Sequence, residues 1–286
     1  MAVIGGGLMV VICVLVGFTM SGGHIHSLIH PSEFITIGGA AMGALLISSP
    51  KKVLVDLIKG ILATVKGSPF AKATYADLFK LLYAIAKMVR RDGMVALDSH
   101  ISNPSGSPLF KKFPRVDNNH HVRDFICTAL TQIVDGKADS AQIVEALEAE
   151  LSVVNREHHA AVSALTKTSD ALPGFGIVAA VLGIVVTMGA IDGPASEIGH
   201  KVGAALVGTF LGILMSYGFV APLAGRMEVL GEAEMTFFRS IISGVIAINE
   251  GASPKDVIVR AKRSIGTECK PNPNELAEIY SYAEAA

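Results

Sequence analysis

ALPGFGIVAAVLGIVVTMGAI, residues 171–191, runs for 21 residues without one Asp, Glu, Lys or Arg. A bilayer core of about 30 Å needs about 20 helical residues, so this stretch is long enough to cross one. Working outward, three more uncharged apolar runs stand at Ala2 to Met20, Phe34 to Ser49 and Val202 to Gly225. The second is short, and either tilts little or borrows flanking residues. The first lacks a basic leading region and a small-x-small cleavage site, so it reads as a span rather than a signal peptide.

The composition agrees. Of 286 residues 51% are hydrophobic and 17% charged, against roughly 25% charged in soluble domains. The mean hydropathy is +0.51. A net charge of −1 excludes a strongly basic nucleic-acid binder, and the apolar content excludes a disordered chain. Cys13, Cys127 and Cys269 are too far apart in sequence for a CxxC metal knuckle and form no disulfide framework.

Lys and Arg set the orientation. Residues 1–50 have none, 16 lie from Lys51 to Lys167, seven from Arg226 to Lys270, and Lys201 alone falls between the last two spans. The positive-inside rule therefore makes 51–170 and the tail cytoplasmic, with both termini inside. Lys201 can snorkel to the interface. The expected segments are 1–50 (two transmembrane helices), 51–170 (a cytoplasmic helical domain), 171–225 (two more transmembrane helices) and 226–286 (a cytoplasmic helical tail). The loops at 21–33 and 192–201 face outward.

The cytoplasmic parts read as helical, and strand alternation is absent. Tyr75, Leu78, Leu82, Ile85 and Val89 recur near the 3.6 period and predict one helix over 74–98. Three prolines, a Gly and two serines make 103–114 a loop. A second helix is expected over 121–134. A third starts at Asp139, with Gln142 closing a capping box, and runs on into the third span. The tail predicts a helix over 223–249, then a last one capped by Ser253 with Pro254 at its first position and Asp256 closing the box. The fold class is an all-α membrane protein.

Little in the chain points to catalysis. There is no GxxxxGK[ST], HExxH or GxSxG, so no enzyme and no cofactor is expected. His24, His26 and His30 have metal-compatible spacing but no second group to complete a site, and a solvated loop is the simpler reading. The adjacent pairs His120–His121 and His158–His159 do not share a helix face. Gly39/Gly43, Gly199/Gly203 and Gly208/Gly212 repeat at a spacing that lets helix backbones approach closely in lipid, within the chain or against other copies. An ion path normally needs an ionisable group inside the membrane. The four spans have none; their polar groups are the hydroxyls of Thr36, Thr187, Thr209, Ser216 and Tyr217. If ions pass, the titrating carboxylate must arrive on another chain.

Leu172-Pro-Gly-Phe-Gly-Ile-Val-Ala-Ala-Val-Leu-Gly183 resembles the third span of the MotA family of flagellar stator subunits. Pro194-Ala195 with Glu197 and Gly199, Val207-Gly-Thr-Phe-Leu-Gly-Ile-Leu214 and Tyr217-Gly-Phe-Val-Ala-Pro222 resemble its following loop and fourth span. Met20-Ser-Gly-Gly23, Tyr75-Ala-Asp-Leu-Phe79, Gly93-Met94 and Asn103-Pro104 are similar too, so the resemblance covers nearly the whole chain. It implies a multi-pass protein of the bacterial inner membrane. It also implies a pentameric homo-oligomer, in contact with lipid, around a MotB-like partner that supplies the proton-carrying Asp. Proton flow would then be turned into torque on the rotor protein FliG. By residue, the resemblance places Arg90 and Asp98, with Arg91 adding a neighbouring charge, at the rotor contact. Asp98 is shorter than the Glu often found there. Thr209 matches the family threonine facing the ion path, and Ala180 stands where sodium-type relatives carry threonine, which favours protons. Pro173 and Pro222 match two prolines at the inner ends of the last spans, as joints for conformational coupling. The alternative is a TolQ/ExbB-type energiser coupling proton flow to an outer-membrane process, a group that typically has three spans.

Overall fold

The computed structural model describes residues 2–136 and 139–285; Met1, Lys137, Ala138 and Ala286, which fall in the expected segments above, lie outside them. The described residues are helical and contain no strand. The chain divides by packing into two compact units, one of residues 1–67 and 156–230 and one of residues 68–155 and 231–286.

The first unit holds the apolar helices. Helix α1 is Ala2–Met20, α2 is Pro31–Ser48 and α3 is Lys51–Lys66. A 3-10 turn at Ile25–Leu28 precedes α2. Pro31 opens α2, where a missing N–H costs nothing because the first helical donors have no internal acceptor. Among the described residues four helical stretches are long and apolar enough to cross a membrane, in the order the hydropathy predicts. Their core is narrow. Ile37, Ala41, Leu172, Ala179, Val207 and Leu211 form one cluster, and Leu45, Leu57, Ala161, Val162, Leu165, Ala224 and Met227 belong to another. Most remaining apolar side chains point outward, among them Ile47 at 90% and Leu206 at 66% exposure. A soluble monomer rarely carries such surface, whereas lipid solvates it. In the polar face of this unit Lys52 pairs with Glu157.

The second unit is an ordinary soluble core. Helix α4 is Lys72–Asp92, followed by the short helices α5 (Asp98–Ser102), α6 (Pro108–Lys111) and α7 (Pro114–Asp117), and by α8 (His120–Val134). Leu78, Phe79, Leu82 and Ile85 of α4 are fully buried, as the periodicity requires. Phe237 packs edge-on to Tyr75 at 4.9 Å between ring centres, and Phe238 to Phe125 at 4.7 Å. Asp77 is buried but paired with Arg115 at 3.3 Å, which removes most of the cost of a lone interior charge.

Two long helices contribute to both units. Helix α9 runs unbroken from Ser140 to Met188, 49 residues, as the sequence predicts. Its start is the expected capping box: Asp139 Oδ1 accepts from the Gln142 N–H at 2.8 Å, and Gln142 Oε1 from the Asp139 N–H at 3.2 Å. Helix α10, Ala195–Met215, continues through a π-helical turn at Ser216–Val220 into α11, Ala221–Asn249. Helices α12 (Pro254–Ala261) and α13 (Pro273–Ala285) complete the second unit. The Ser253 cap forms, with its Oγ accepting from the Asp256 N–H at 3.2 Å; the Asp256 carboxylate closes back on the Ser253 hydroxyl.

Three expectations change. The single helix over 74–98 ends at Asp92, because Gly93 takes φ +83°, a region that disfavours other residues, and a 3-10 turn at Met94–Leu97 buries Leu97. The 103–114 loop is largely short helical turns, each opened by one of its prolines. The second outer connection is shorter than 192–201, since α10 starts at Ala195 and Lys201 pairs with Glu197 one turn away at 3.0 Å.

Candidate functional site

Helices α9 and α10 touch backbone to backbone. A methyl on Gly212 would lie 2.7 Å from the Leu172 carbonyl oxygen and 2.9 Å from the Gly176 Cα; one on Gly176 would lie 2.9 Å from the Gly208 carbonyl oxygen. One on Gly183 would lie 2.6 Å from the Ala205 Cβ. The Gly208/Gly212 repeat is therefore used within the chain. Gly39, Gly43, Gly199 and Gly203 meet nothing within 4 Å, so those small faces stay open.

The seam carries Thr209 on α10 and Ala180 on α9. Thr209 Cα is 3.3 Å from a methyl position on Gly176, and Ala180 N is 3.4 Å from one on Gly208. Both residues are half-buried. Ala180 offers no side-chain oxygen. Thr187 turns its hydroxyl back to the Gly183 carbonyl at 2.8 Å, and Thr36 to Ser32 at 3.0 Å; these satisfy their own helices and leave no free donor.

Pro173 lies inside α9 and has no N–H for the carbonyl of Ser169, four residues back. Pro222 is the second residue of α11, just after the π turn, where the Ala221 N–H donates to the Ser216 carbonyl five residues back. A wider turn makes room for the proline ring against the preceding carbonyl. The two irregularities are tied together: the hydroxyls of Ser169 and Ser216 lie 3.0 Å apart, and the Ser169 hydroxyl also lies 3.3 Å from the Ser216 carbonyl oxygen. Both serines are buried, at 1% and 0% exposure. Sequence reasoning missed Ser169, though a serine one turn before a helical proline is a readable signal.

At the other end of α2, Glu33 points into the groove left by Gly208. Its Oε2 is 2.7 Å from a methyl position on Gly208, a point also 3.1 Å from Ala179 Cβ. That oxygen is buried and has no hydrogen-bond partner among the described residues. Span two counted from Phe34 stops one residue short of it. His30 faces His200 of α10, with ring centres 6.3 Å apart, while His24 and His26 are exposed. Among the described residues no three His, Cys, Asp or Glu converge for a metal. Elsewhere, His158 Nε2 lies 3.1 Å from the Met227 carbonyl, and His121 faces Phe238.

In the second unit Arg90, Arg91 and Asp98 are all exposed. Arg90 is in the last turn of α4 and Asp98 opens α5, so the break at Gly93 puts them on two elements rather than one helix face. Arg91 is held by its neighbour Asp92, Nη2 to Oδ2 at 2.7 Å and Nε to Oδ1 at 2.9 Å. That contact draws the Asp92 carboxyl below its ordinary range. Arg91 also borders a cleft of about 120 Å³ with Lys80, Lys87 and Lys112, where Lys80 sits 4.4 Å from the Tyr282 ring centre. The exposed charge at this end is thus mainly positive.

Residues 4–93 match the family described as Motility protein A N-terminal, and residues 117–239 match the MotA/TolQ/ExbB proton channel family. The chain is 32% identical over 278 residues to Motility protein A of Salmonella typhimurium, covering 97% of this chain and 94% of that one. It is 35% identical over 271 residues to Chemotaxis protein LafT of Vibrio parahaemolyticus, covering 95% of each. Among solved structures the fold is similar to that of C. jejuni MotAB, with a TM-score of 0.78 at 23% identity, over 95% of this chain and 97% of that one. It is also similar to the flagellar MotAB stator complex of Bacillus subtilis, with a TM-score of 0.73 at 22% identity, over 89% and 91%.

Proposed function

The chain belongs to the motility protein A family of flagellar stator subunits, and from that premise we propose how it works. It is a multi-pass membrane protein of a channel and stator family rather than of an enzyme family. Copies of it surround a MotB-like partner in the bacterial inner membrane, with the second unit in the cytoplasm. Protons pass along the wall carrying Thr209 and Ala180, and the partner supplies the acid that carries them. One charge crossing 100 mV releases about 2.3 kcal/mol, which is the electrical energy available per proton.

The observation that carries this reading is the α9–α10 seam. Backbone contact at Gly176, Gly208 and Gly212 runs along the seam that carries Thr209 and Ala180, and Ala180 has no side-chain oxygen. Residues 171–191 and 202–225 contain no acid. A wall of that kind hydrogen-bonds but does not titrate. The exterior of the same helices is apolar and uncovered, as contact with lipid and further copies requires.

Torque leaves through the second unit. Arg90 and Asp98, with Arg91 beside them, present charge to a rotor surface such as FliG, where complementary charges steer and orient the encounter. Pro173 and Pro222 act as the joints. Each removes one backbone hydrogen bond from a helix that serves both units, and the Ser169–Ser216 pair makes the two joints move together.

Deleting the gene and scoring spreading on soft agar tests the reading. Loss of swimming with intact flagella, restored by the gene in trans, is expected. A strain that swims normally but fails in an outer-membrane process would point instead to a TolQ/ExbB-type energiser.

A further inference from the structure

We propose that Glu33 is a proton-exchanging site of this chain itself: it takes protons from the outer water and passes them to the partner's membrane acid beside Thr209 and Ala180. This rests on the stator reading above and adds a second carboxylate to the path.

Three observations converge. The Glu33 side chain is half-buried, although α2 begins only two residues earlier. Its carboxylate enters the notch that Gly208 leaves, with Oε2 2.7 Å from where a methyl there would lie. Its Oε2 is buried with no partner among the described residues. A carboxylate oxygen out of water without a donor is costly, and it persists where protonation or a transient partner relieves the cost. Gly208 and Thr209 are neighbours on α10, so the site lies at the depth of the proposed path although on an adjoining face of the helix.

Two imidazoles stand at this end of the helices, and His30 Nε2 lies 3.1 Å from the Ser27 carbonyl oxygen. His30 and His200 face each other at 6.3 Å at the same end of α2 and α10. The further ionisable groups there are His26 on the preceding turn and Glu197 and Lys201 on α10; these last two neutralise each other at 3.0 Å. Residues 171–188 of α9 bring none, and neither does the rest of α2. In the step itself the Glu33 carboxylate takes a proton from a hydronium ion on the outer side, leaving water, directly or through an imidazolium that hydronium reprotonates. It then gives that proton to the partner's aspartate and returns to carboxylate as the aspartate becomes the carboxylic acid. Each transfer breaks one O–H or N–H bond and forms one O–H or N–H bond.

The test uses the full chain co-expressed with its partner. Proton uptake by cells carrying the open pair is read against external pH, alongside swimming speed. Glu33→Gln keeps the shape and removes the exchangeable proton. Its uptake should fall by about tenfold or more and lose its dependence on external pH, with membrane level and partner co-purification unchanged. Glu33→Asp should conduct at reduced rate with the pH dependence retained. Parental uptake at every pH in Glu33→Gln overturns the proposal. So do equal losses in both variants with an unaltered pH profile, or failure of Glu33→Gln to co-purify with the partner, since each marks a structural contact. If the parental pair itself takes up no protons, the stator reading fails rather than this addition to it.

Discussion

A single methyl group would separate tolerated from forbidden glycines in this chain. At Gly212 the added carbon meets backbone, the Leu172 carbonyl oxygen at 2.7 Å, and backbone cannot swing aside. Gly212→Val should therefore abolish motility and lower the amount of protein in the membrane, as read by immunoblot. Gly39→Ala, with open space around it, should leave that amount unchanged. Arg90 stands exposed on the last turn of α4. Arg90→Glu should cut torque in tethered cells while insertion and partner association persist. Unchanged motility in both the single variant and an Arg90/Arg91 double replacement would remove the rotor contact from these residues. Glu234 gives a pH effect of known sign. Burial raises its carboxyl above the ordinary range, with His121 pulling weakly the other way. The folded state then holds the proton more tightly than the unfolded one. Stability is full at acid pH and is lost as pH climbs above the ordinary carboxylate range. Glu234→Gln should accordingly gain thermal stability over the parent at neutral pH and not at acid pH.

Elements were legible where one physical rule dominated. The 3.6 period placed the core face of α4, and Asp139 with Gln142 fixed the start of α9 to the residue, because capping satisfies specific orphan donors. The end of α4 was misjudged because apolar periodicity continues past Gly93, and the chain turns there through a positive φ that the pattern does not encode. The π turn at Ser216–Val220 was also invisible, since nothing in composition marks one extra residue in a helical turn. Pro173 carries the prediction at this scale. Pro173→Ala restores a donor for the Ser169 carbonyl and stiffens α9. Membrane level and partner co-purification should be kept while torque at high load falls well below the parental value. If swimming and torque are unchanged, the proline only punctuates the helix.

For the whole molecule, residues 171–191 and 202–225 contain no acid, and the proposed path therefore takes its membrane acid from another chain. Sodium has to exchange its water shell for several oxygen ligands, and Ala180 offers none from its side chain. Swimming speed should therefore depend on external pH and stay flat as sodium is varied at fixed pH. A steep sodium requirement would overturn proton coupling.

Hydropathy, the distribution of Lys and Arg and the helical period needed no tertiary information. Each depends on how a residue meets solvent or its own turn, so the sequence alone determined four spans, their proposed orientation and an all-helical soluble part. The notch at Gly208 that receives Glu33, the hydroxyl pair of Ser169 and Ser216, and the approach of the Thr209 backbone to Gly176 join residues far apart in the chain. Only the packed structure decided them, because they depend on the rotation and depth at which two helices come to rest.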